Sequence, residues 1–150
     1  MKIMLRVLVV MLAIGFGTAS ARGMKAWSYR ELVDAADVVA IVTPTKTKLR
    51  TEKAPLPEMP SVSATRVETE FAIVAVVKGK PADAKKLLLH HYADTRAGAI
   101  PNGPLLVAFE PKDKAQYLVF LKQGADGQYV AVTGQTDPMF SFEKLQQRAP

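Results

Sequence analysis

The residues that could do chemistry are two adjacent histidines, His90 and His91, in a chain without cysteine. They follow the apolar run Leu87–Leu89, which indicates a β-strand. Neighbouring strand residues point to opposite faces, so the two imidazoles cannot both bind one ion without a bulge. No third histidine or carboxylate lies nearby at a ligand spacing. We therefore expect no metal site: one histidine should point inward with a hydrogen bond, the other should face solvent, and a recognition role stays open.

The acids and hydroxyl residues form no catalytic pattern. The sequence contains neither Gly-x-Ser-x-Gly nor His-Glu-x-x-His, and no glycine-rich phosphate loop follows a strand. Glu68 and Glu70 share one strand face, but we expect Lys48 and Lys46 opposite them. Such neutralised carboxylates do not form an acid–base couple with separated pKa values. We predict a non-catalytic protein without a cofactor.

Alternating cations mark a first strand, Val38–Arg50. One interpretation is a solvated face whose lysines pair with carboxylates on the next strand, at about 0.2–1 kcal/mol per pair. The alternative is a binding surface. The antiparallel register that matches both faces sets these residues opposite each other: Lys46 and Glu70, Lys48 and Glu68, Val39 and Val77, Ile41 and Ala75. The weak binding candidates are Lys46, Lys48, Arg50, Arg66, His90 and His91.

The strand around which the rest of the chain is arranged runs from Arg66 to Gly79. The odd-numbered residues from Val67 to Val77 are all apolar or β-branched. The even-numbered residues are charged up to Glu70 and apolar from Ala72 to Val76. This pattern predicts one wet side in the first half of the strand and cover on both sides in the second half.

Shorter elements are expected on both sides of this strand. Ser28 and Glu31 have the spacing of a capping box, which predicts a helix from Tyr29 to about Ala36. Proline-rich or turn-forming stretches indicate loops. The expected positions are strands at 87–92, 105–109, 117–121 and 129–133, loops at 51–65 and 93–104, and a short helix or packed tail at 140–147.

Residues 1–21 have the pattern of a secretory signal peptide. Lys2 and Arg6 precede the apolar run Val7–Phe16, and Ala19–Ala21 fits a cleavage site. An uncleaved anchor is the alternative, but the run is short for a bilayer span of about 20 residues. We expect export to the periplasm or the extracellular space, no membrane anchor after cleavage, and one domain at 22–150. Cleavage lowers the net charge from +6 to +4, which permits acidic partners without requiring them.

The order of these elements resembles a known family. The segments that carry the resemblance are Glu31–Val39, Phe71–Gly79, Tyr117–Lys122 and Tyr129–Gly134. They are similar to bacterial secreted proteins whose OB-fold barrel is of the tissue-inhibitor-of-metalloproteinases, or netrin-module, type. The resemblance implies a mainly β fold: a five- to six-stranded antiparallel OB-like barrel with a short N-terminal helix. A short C-terminal helix is left open.

The chain departs from the animal inhibitors of that family at the N-terminus. Those inhibitors place an N-terminal cysteine on the protease zinc, whereas this chain has no cysteine and its expected mature start is Arg22. The zinc-binding wedge therefore does not carry over. Protease inhibition through another contact is the least favoured of the functions considered.

The sequence favours a binding module over an enzyme. The leading hypothesis is an unknown envelope or extracellular protein partner that contacts the loops at 51–65 and 93–104. The alternative is a polysaccharide- or anion-binding barrel that recognises an acidic glycan through its cations. Nucleic acid is disfavoured because only 7 % of the residues are aromatic and the chain is expected to be exported.

Overall fold

The computed structural model of the protein describes residues 22–93, 102–124 and 127–146, which form a mainly β structure with one short helix. The predicted signal peptide and most of the predicted loop 93–104 lie outside these residues. None of the described helices is long and apolar enough to cross a membrane. In chain order the elements are α1 (Tyr29–Ala35), β1 (Val38–Leu56), β2 (Met59–Lys78), β3 (Lys86–Ala93), a 3-10 turn (Pro111–Asp113), β4 (Tyr117–Gln123), β5 (Tyr129–Ala131), a second 3-10 turn (Pro138–Ser141) and β6 (Phe142–Lys144).

Five strands pair in a closed circuit. β1 pairs with β2, β2 with β3, β3 with β5, β5 with β4, and β4 returns to β1, while β6 adds to β4. The pairings are antiparallel except for β3–β5, where Leu89 and Tyr129 form a parallel pair. The expectation of a wholly antiparallel sheet is therefore wrong. An odd number of strands cannot alternate in direction all the way around a ring, so one pairing must be parallel.

The register of β1 against β2 follows the prediction where the charges lie. The predicted pair of Val39 with Val77 is wrong, because Val39 faces Lys78. The three predicted pairs that the structure contains are Lys46 with Glu70, Lys48 with Glu68, and Ile41 with Ala75.

Two valines of β2 are extra residues at register shifts. Val77 has no partner on β1, because Val39 faces Lys78 and the next residue, Ala40, faces Val76. Val74 has none for the same reason, because it lies between the partners of Ile41 and Val42. Their side chains are 63 % and 53 % exposed. The prediction that this half of the strand is covered on both sides is therefore wrong. A bulge changes the face to which a side chain points, which breaks the regular alternation. In addition, β3 pairs with β2 only as far as Ala72, so β3 does not flank the part of β2 that carries these valines.

Beyond the sheet, β1 and β2 continue as a two-stranded arm, residues 51–64, that turns at Pro57–Glu58. The predicted loop at 51–65 is therefore wrong. Among the described residues, β3 pairs with β2 only from Thr65 onward, and no described strand pairs with the outer edges of the arm, so its prolines interrupt no ladder between described strands. A small apolar cluster packs the arm onto the sheet: Leu56, Met59, Val62, Ala64, Tyr92 and Leu106.

The main core lies inside the circuit and includes a residue from a segment that is not a strand. Phe109 packs edge-on against Phe71 and Tyr117, with ring centroids 4.9 and 5.2 Å apart. The strand predicted at 105–109 is absent. Within the circuit, β1, β3 and β4 each have partners on both sides, and the segment instead packs Leu106 and Phe109 into the two apolar clusters. The core members are Val38, Ala40, Val42, Phe71, Leu87, Leu89, Phe109, Val119, Leu121 and Tyr129.

The C-terminal helix predicted within 140–147 is also absent from the described residues. Pro138–Ser141 forms a 3-10 turn, and the chain then enters β6. Ser141 is buried, and its hydroxyl accepts a hydrogen bond from the Thr133 backbone N–H at 3.0 Å. Phe142 packs on the main core, so an extended backbone serves this segment better than a helix.

The short helix α1 is closed at both ends by side chains. Ser28 and Glu31 form the capping box at its start, and Leu32 is buried against the sheet. At its end, the Lys78 ammonium donates a hydrogen bond to the Val33 carbonyl at 2.6 Å. Free carbonyls at a helix C-terminus favour a positive charge, and here the cation comes from β2.

Candidate binding cleft

A cleft of about 570 Å³ opens beside the point where the arm leaves the sheet. Small-molecule sites have volumes of about 300–1,000 Å³. The β2–β3 register places Glu68 opposite His90 and Val67 opposite His91, which brings both histidines to the cleft. The lining residues are Arg50, Thr51 and Glu52 from β1, Arg66, Val67 and Glu68 from β2, His90, His91 and Tyr92 from β3, and Gln128, Val130 and Gln135.

Glu68 and Arg50 form an ion pair across β1 and β2. The Arg50 Nη2 atom lies 2.5 Å from Glu68 Oε1, and Arg50 Nε donates to the same oxygen at 3.2 Å. The Glu68 side chain is only 16 % exposed. The hydrogen bond from Arg50 lowers the pKa of Glu68, against the opposing effect of burial. Arg50 therefore holds Glu68 in place as a carboxylate through its Oε1 atom.

His90 stands next to this pair as a neutral group. Burial lowers its pKa, although the nearby Glu68 carboxylate acts in the opposite direction. Its Nε2 atom lies 3.5 Å from Glu68 Oε1, is inaccessible to solvent, and has no hydrogen-bond partner. An unpaired buried ring nitrogen costs free energy unless a water or a ligand reaches it.

His91 lies beneath the cleft and fixes its floor. Its Nε2 atom is 2.9 Å from the Thr69 hydroxyl, and its ring packs edge-on against Phe109 at 5.4 Å between centroids. Burial lowers the pKa of His91 to about 4. The predicted division of the two histidines is present, since His91 is the buried, hydrogen-bonded one and His90 is partly open to solvent.

Arg66 supplies a cation that none of the described residues neutralises. Its side chain is exposed, and it makes no ion pair or hydrogen bond with any residue that the structure describes. Its cross-strand neighbour on β3 is Tyr92, which also lines the cleft. A free guanidinium can bind a carboxylate or phosphate through two parallel hydrogen bonds.

Gln135 closes the far side of the cleft and is held by the arm. Its side-chain amide donates to the His90 carbonyl at 3.2 Å, while its buried Oε1 atom has no partner. Glu58, at the tip of the arm, accepts hydrogen bonds from the Gln135 backbone N–H at 3.3 Å and the Thr136 hydroxyl at 2.7 Å. The arm therefore fixes the wall that carries Gln135.

The structure divides the sequence-predicted candidates into two groups. Lys46 and Lys48 do not line the cleft; they face Glu70 and Glu68 across the strands, but the ion pairs of those carboxylates form with Lys86 and Arg50 instead. The predicted lysine–glutamate pairs are therefore neighbours in register without being ion pairs. The candidates that the fold brings together in the cleft are Arg50, Arg66, His90 and His91.

Sequence reasoning missed three further contributors, Tyr92, Gln128 and Gln135. Gln128 and Gln135 lie on either side of β5, and they reach the cleft only because β5 pairs with β3. Tyr92 directly follows the histidines, and the β2–β3 pairing could have indicated it. No local pattern in the sequence identifies the two glutamines.

The described residues include no group of three histidine, cysteine or acidic side chains that could hold a metal ion. Comparison with known proteins adds no family: no family model matches the sequence, and no curated protein is significantly similar to it. The geometry of the cleft therefore carries the functional argument.

Proposed function

We propose that the chain is an exported, non-catalytic binding module built on an OB-like barrel, and that it binds an acidic ligand in the Arg50–Arg66–His90 cleft. The OB fold is a five-stranded, partly open barrel. Support for it here comes from the strand order of the closed circuit and from the resemblance to secreted barrels of the metalloproteinase-inhibitor type. Without a cysteine, the inhibitors' mode of zinc binding is not part of the proposal.

The observation that carries the proposal is the convergence of unsatisfied polar groups on one concave surface. Within the described part of the chain, Arg66 has no ion pair or hydrogen bond, and His90 Nε2 and Gln135 Oε1 are buried without partners. Groups of this kind are uncommon in native proteins, where most buried polar atoms are paired. OB-folds bind ligands across the face of strands two and three, beside the loop between strands one and two. The lining of the cleft by β2, β3 and the base of the arm supports the proposal of such a site.

The proposed ligand bears at least one anionic group. An acidic glycan and an acidic segment of an envelope protein both meet this requirement. NMR amide spectra, recorded with an acidic polysaccharide, an acidic peptide and inorganic phosphate in turn, test the proposal. At least one probe should shift the amides of Glu68 and His90 in the wild type and fail to do so in Arg66→Ala. Lys46→Ala, outside the cleft, is the matched control; an absence of cleft shifts with all three probes would contradict the proposal.

A protein partner is the second candidate, favoured by three exposed valines near the end of β2. Val74, Val76 and Val77 are the only cluster of large exposed aliphatic side chains on one described strand. A photo-crosslinking residue at Val77, introduced in the native cell envelope, should capture one discrete partner. The same residue at Lys46 is the control, and equal capture at both positions would count against a partner surface at the valines.

Export is part of the proposal and has its own test. Cell fractionation should recover the protein outside the cytoplasm, and N-terminal sequencing should begin at Arg22. A cytoplasmic protein that retains Met1 would refute the signal peptide and remove the argument for an extracellular ligand.

A further inference from the structure

The charges that line the cleft are balanced. Among the described lining residues, Arg50 and Arg66 carry two positive charges, Glu52 and Glu68 carry two negative ones, and His90 is neutral, so these residues together have no formal excess of charge. A compact ligand that is anionic on all sides would bring charge close to the two carboxylates. The cleft therefore suits a ligand with one acidic group and several neutral hydrogen-bond donors.

Two side chains of the cleft, Glu68 and Gln135, each have one oxygen without a described hydrogen bond. The described contacts of Glu68 all involve Oε1, which accepts from Arg50 and lies 3.5 Å from His90 Nε2. Gln135 donates through its amide nitrogen, and its buried oxygen has no partner. Carboxylate and amide oxygens accept hydrogen bonds from hydroxyl groups. Leaving such an acceptor buried and unpaired is unfavourable. A ligand that donates hydroxyls to these oxygens would recover that free energy.

We propose that the ligand is an acidic saccharide, whose carboxylate binds Arg66 and whose hydroxyl groups donate to Glu68 and Gln135. The inference rests on the function proposed for the cleft and narrows its ligand to sugars that carry a carboxylate. The ring of Tyr92, next to Arg66 in the cleft, provides an aromatic surface beside the acid. The cleft is open to solvent, so a sugar residue within a longer chain can occupy it.

Calorimetric titration of the purified protein with four probes tests this inference. Tetragalacturonate carries both acid and hydroxyl groups, its methyl ester keeps the hydroxyls without the acid, tetraglutamate keeps the acid without the hydroxyls, and inorganic phosphate is anionic on all sides. Because each partial probe lacks one set of hydrogen bonds, tetragalacturonate should bind at least about tenfold more tightly than any of the others.

Two variants test the two proposed contacts separately, that of Arg66 with the carboxylate and that of Gln135 with the hydroxyl groups. Arg66→Gln should abolish the preference for tetragalacturonate over its methyl ester. Gln135→Leu should weaken both sugars by roughly tenfold and leave tetraglutamate unchanged. Lys46→Gln, which lies outside the cleft, is the control and should change none of these affinities.

The outcomes separate this inference from the proposed function. Binding of tetraglutamate or phosphate as tight as that of tetragalacturonate would overturn the saccharide assignment and leave an acid-binding cleft in place. Equal binding of the acid and its methyl ester would overturn the role of Arg66. An absence of binding by all four probes, together with unchanged cleft amides, would overturn both.

Discussion

Glu68 and Glu70 lie two residues apart on the same face of β2, but their surroundings differ. Glu68 is 16 % exposed and lies 2.5 Å from the Arg50 guanidinium, with His90 on the neighbouring strand. Glu70 is 38 % exposed and pairs at 3.3 Å with the solvated Lys86 ammonium. The same residue type, each opposite a lysine of β1, thus contributes to a cleft in one case and to an ordinary charged surface in the other.

The difference comes from what stands beside each carboxylate. The arm and the residues around β5 enclose the side of Glu68, whereas Glu70 lies toward the end of β3, where Lys86 extends into solvent. Exposed ion pairs contribute little to stability because water and salt screen them. An alternating charge pattern in the sequence therefore does not distinguish a binding cleft from an ordinary charged surface. The distinction comes from residues distant in the chain that form the walls of the cleft.

The difference between the surroundings of Glu68 and Glu70 depends on the arm, so the largest effect is expected from a change in the apolar cluster that packs the arm onto the sheet. Leu56→Ala should lower the free energy of unfolding by about 2–5 kcal/mol, because Leu56 is fully buried in the cluster beneath the arm. Leu49→Ala is the matched control: Leu49 is 56 % exposed, and its loss should change stability by no more than about 0.5 kcal/mol. Urea denaturation of both variants measures the difference, and equal losses would contradict the assigned role of the cluster.

The next largest effect is the pH dependence that the floor of the cleft confers. The pKa of His91 is lowered to about 4 in the folded protein from 6.5. The unfolded chain therefore binds more protons between these values, so stability should be complete above pH 6.5 and fall as pH decreases toward 4. The maximal slope is about 1.4 kcal/mol per pH unit for one group.

His91→Leu provides the control for this pH dependence. The variant should show a flatter profile between pH 6.5 and 4 in denaturant titrations, with a smaller dependence left from His90, whose pKa is also lowered by burial. An unchanged slope in the variant would contradict a buried neutral imidazole at this position.

A smaller and more local test concerns the contact between the arm and the wall of the cleft. Gly134 has a φ of 88°, and an added Cβ would lie 2.9 Å from the Glu58 carboxylate oxygen. Gly134→Ala should cost about 1–3 kcal/mol from backbone strain together with displacement of Glu58. Gly127 has a φ of 71° with no atom within 4 Å of an added Cβ, so Gly127→Ala reports the backbone strain alone. Equal destabilisation of the two variants would show that the Glu58 contact is not important.

The smallest expected effect compares the two carboxylates directly. Glu68→Gln should lower the free energy of unfolding by roughly 0.5–1 kcal/mol, because Arg50 loses a charged partner at a site that is half exposed on the arginine side. Glu70→Gln should change it by less than about 0.5 kcal/mol. Thermal unfolding at low and high salt distinguishes them; the contrast between the two sites fails if Glu70→Gln is the more destabilising change.

The sequence predicts the fold of this protein better than it predicts the cleft. The charged alternation of β1 and β2 yields the correct pairs Lys46–Glu70 and Lys48–Glu68, because like charges facing each other would be unfavourable. The register shifts that expose Val74 and Val77 have no comparable signal. A bulge depends on how the closed circuit bends, which local residue patterns do not determine.

The cleft could be predicted only in part for a related reason. Arg50, Arg66, His90 and His91 stand out by residue type, and two neighbouring strand pairings bring them together. Gln128 and Gln135 reach the cleft through the parallel β3–β5 pairing, which joins residues about 40 positions apart. Prolines at 55, 57 and 60 predict a loop, whereas the strands continue through them along edges that no described strand pairs with.

The hydrogen bond from Lys78 to the end of α1 has a consequence for the order of folding. A helix of seven residues is unstable alone in water, and its closing cation is 45 positions away in the chain. The helix is therefore synthesised before β2 but should become persistent only after β2 has joined β1. Pulse-labelling of amide hydrogens during refolding should show protection of Leu32 arising after that of Val42, and simultaneous or earlier protection of Leu32 would contradict this sequence of events.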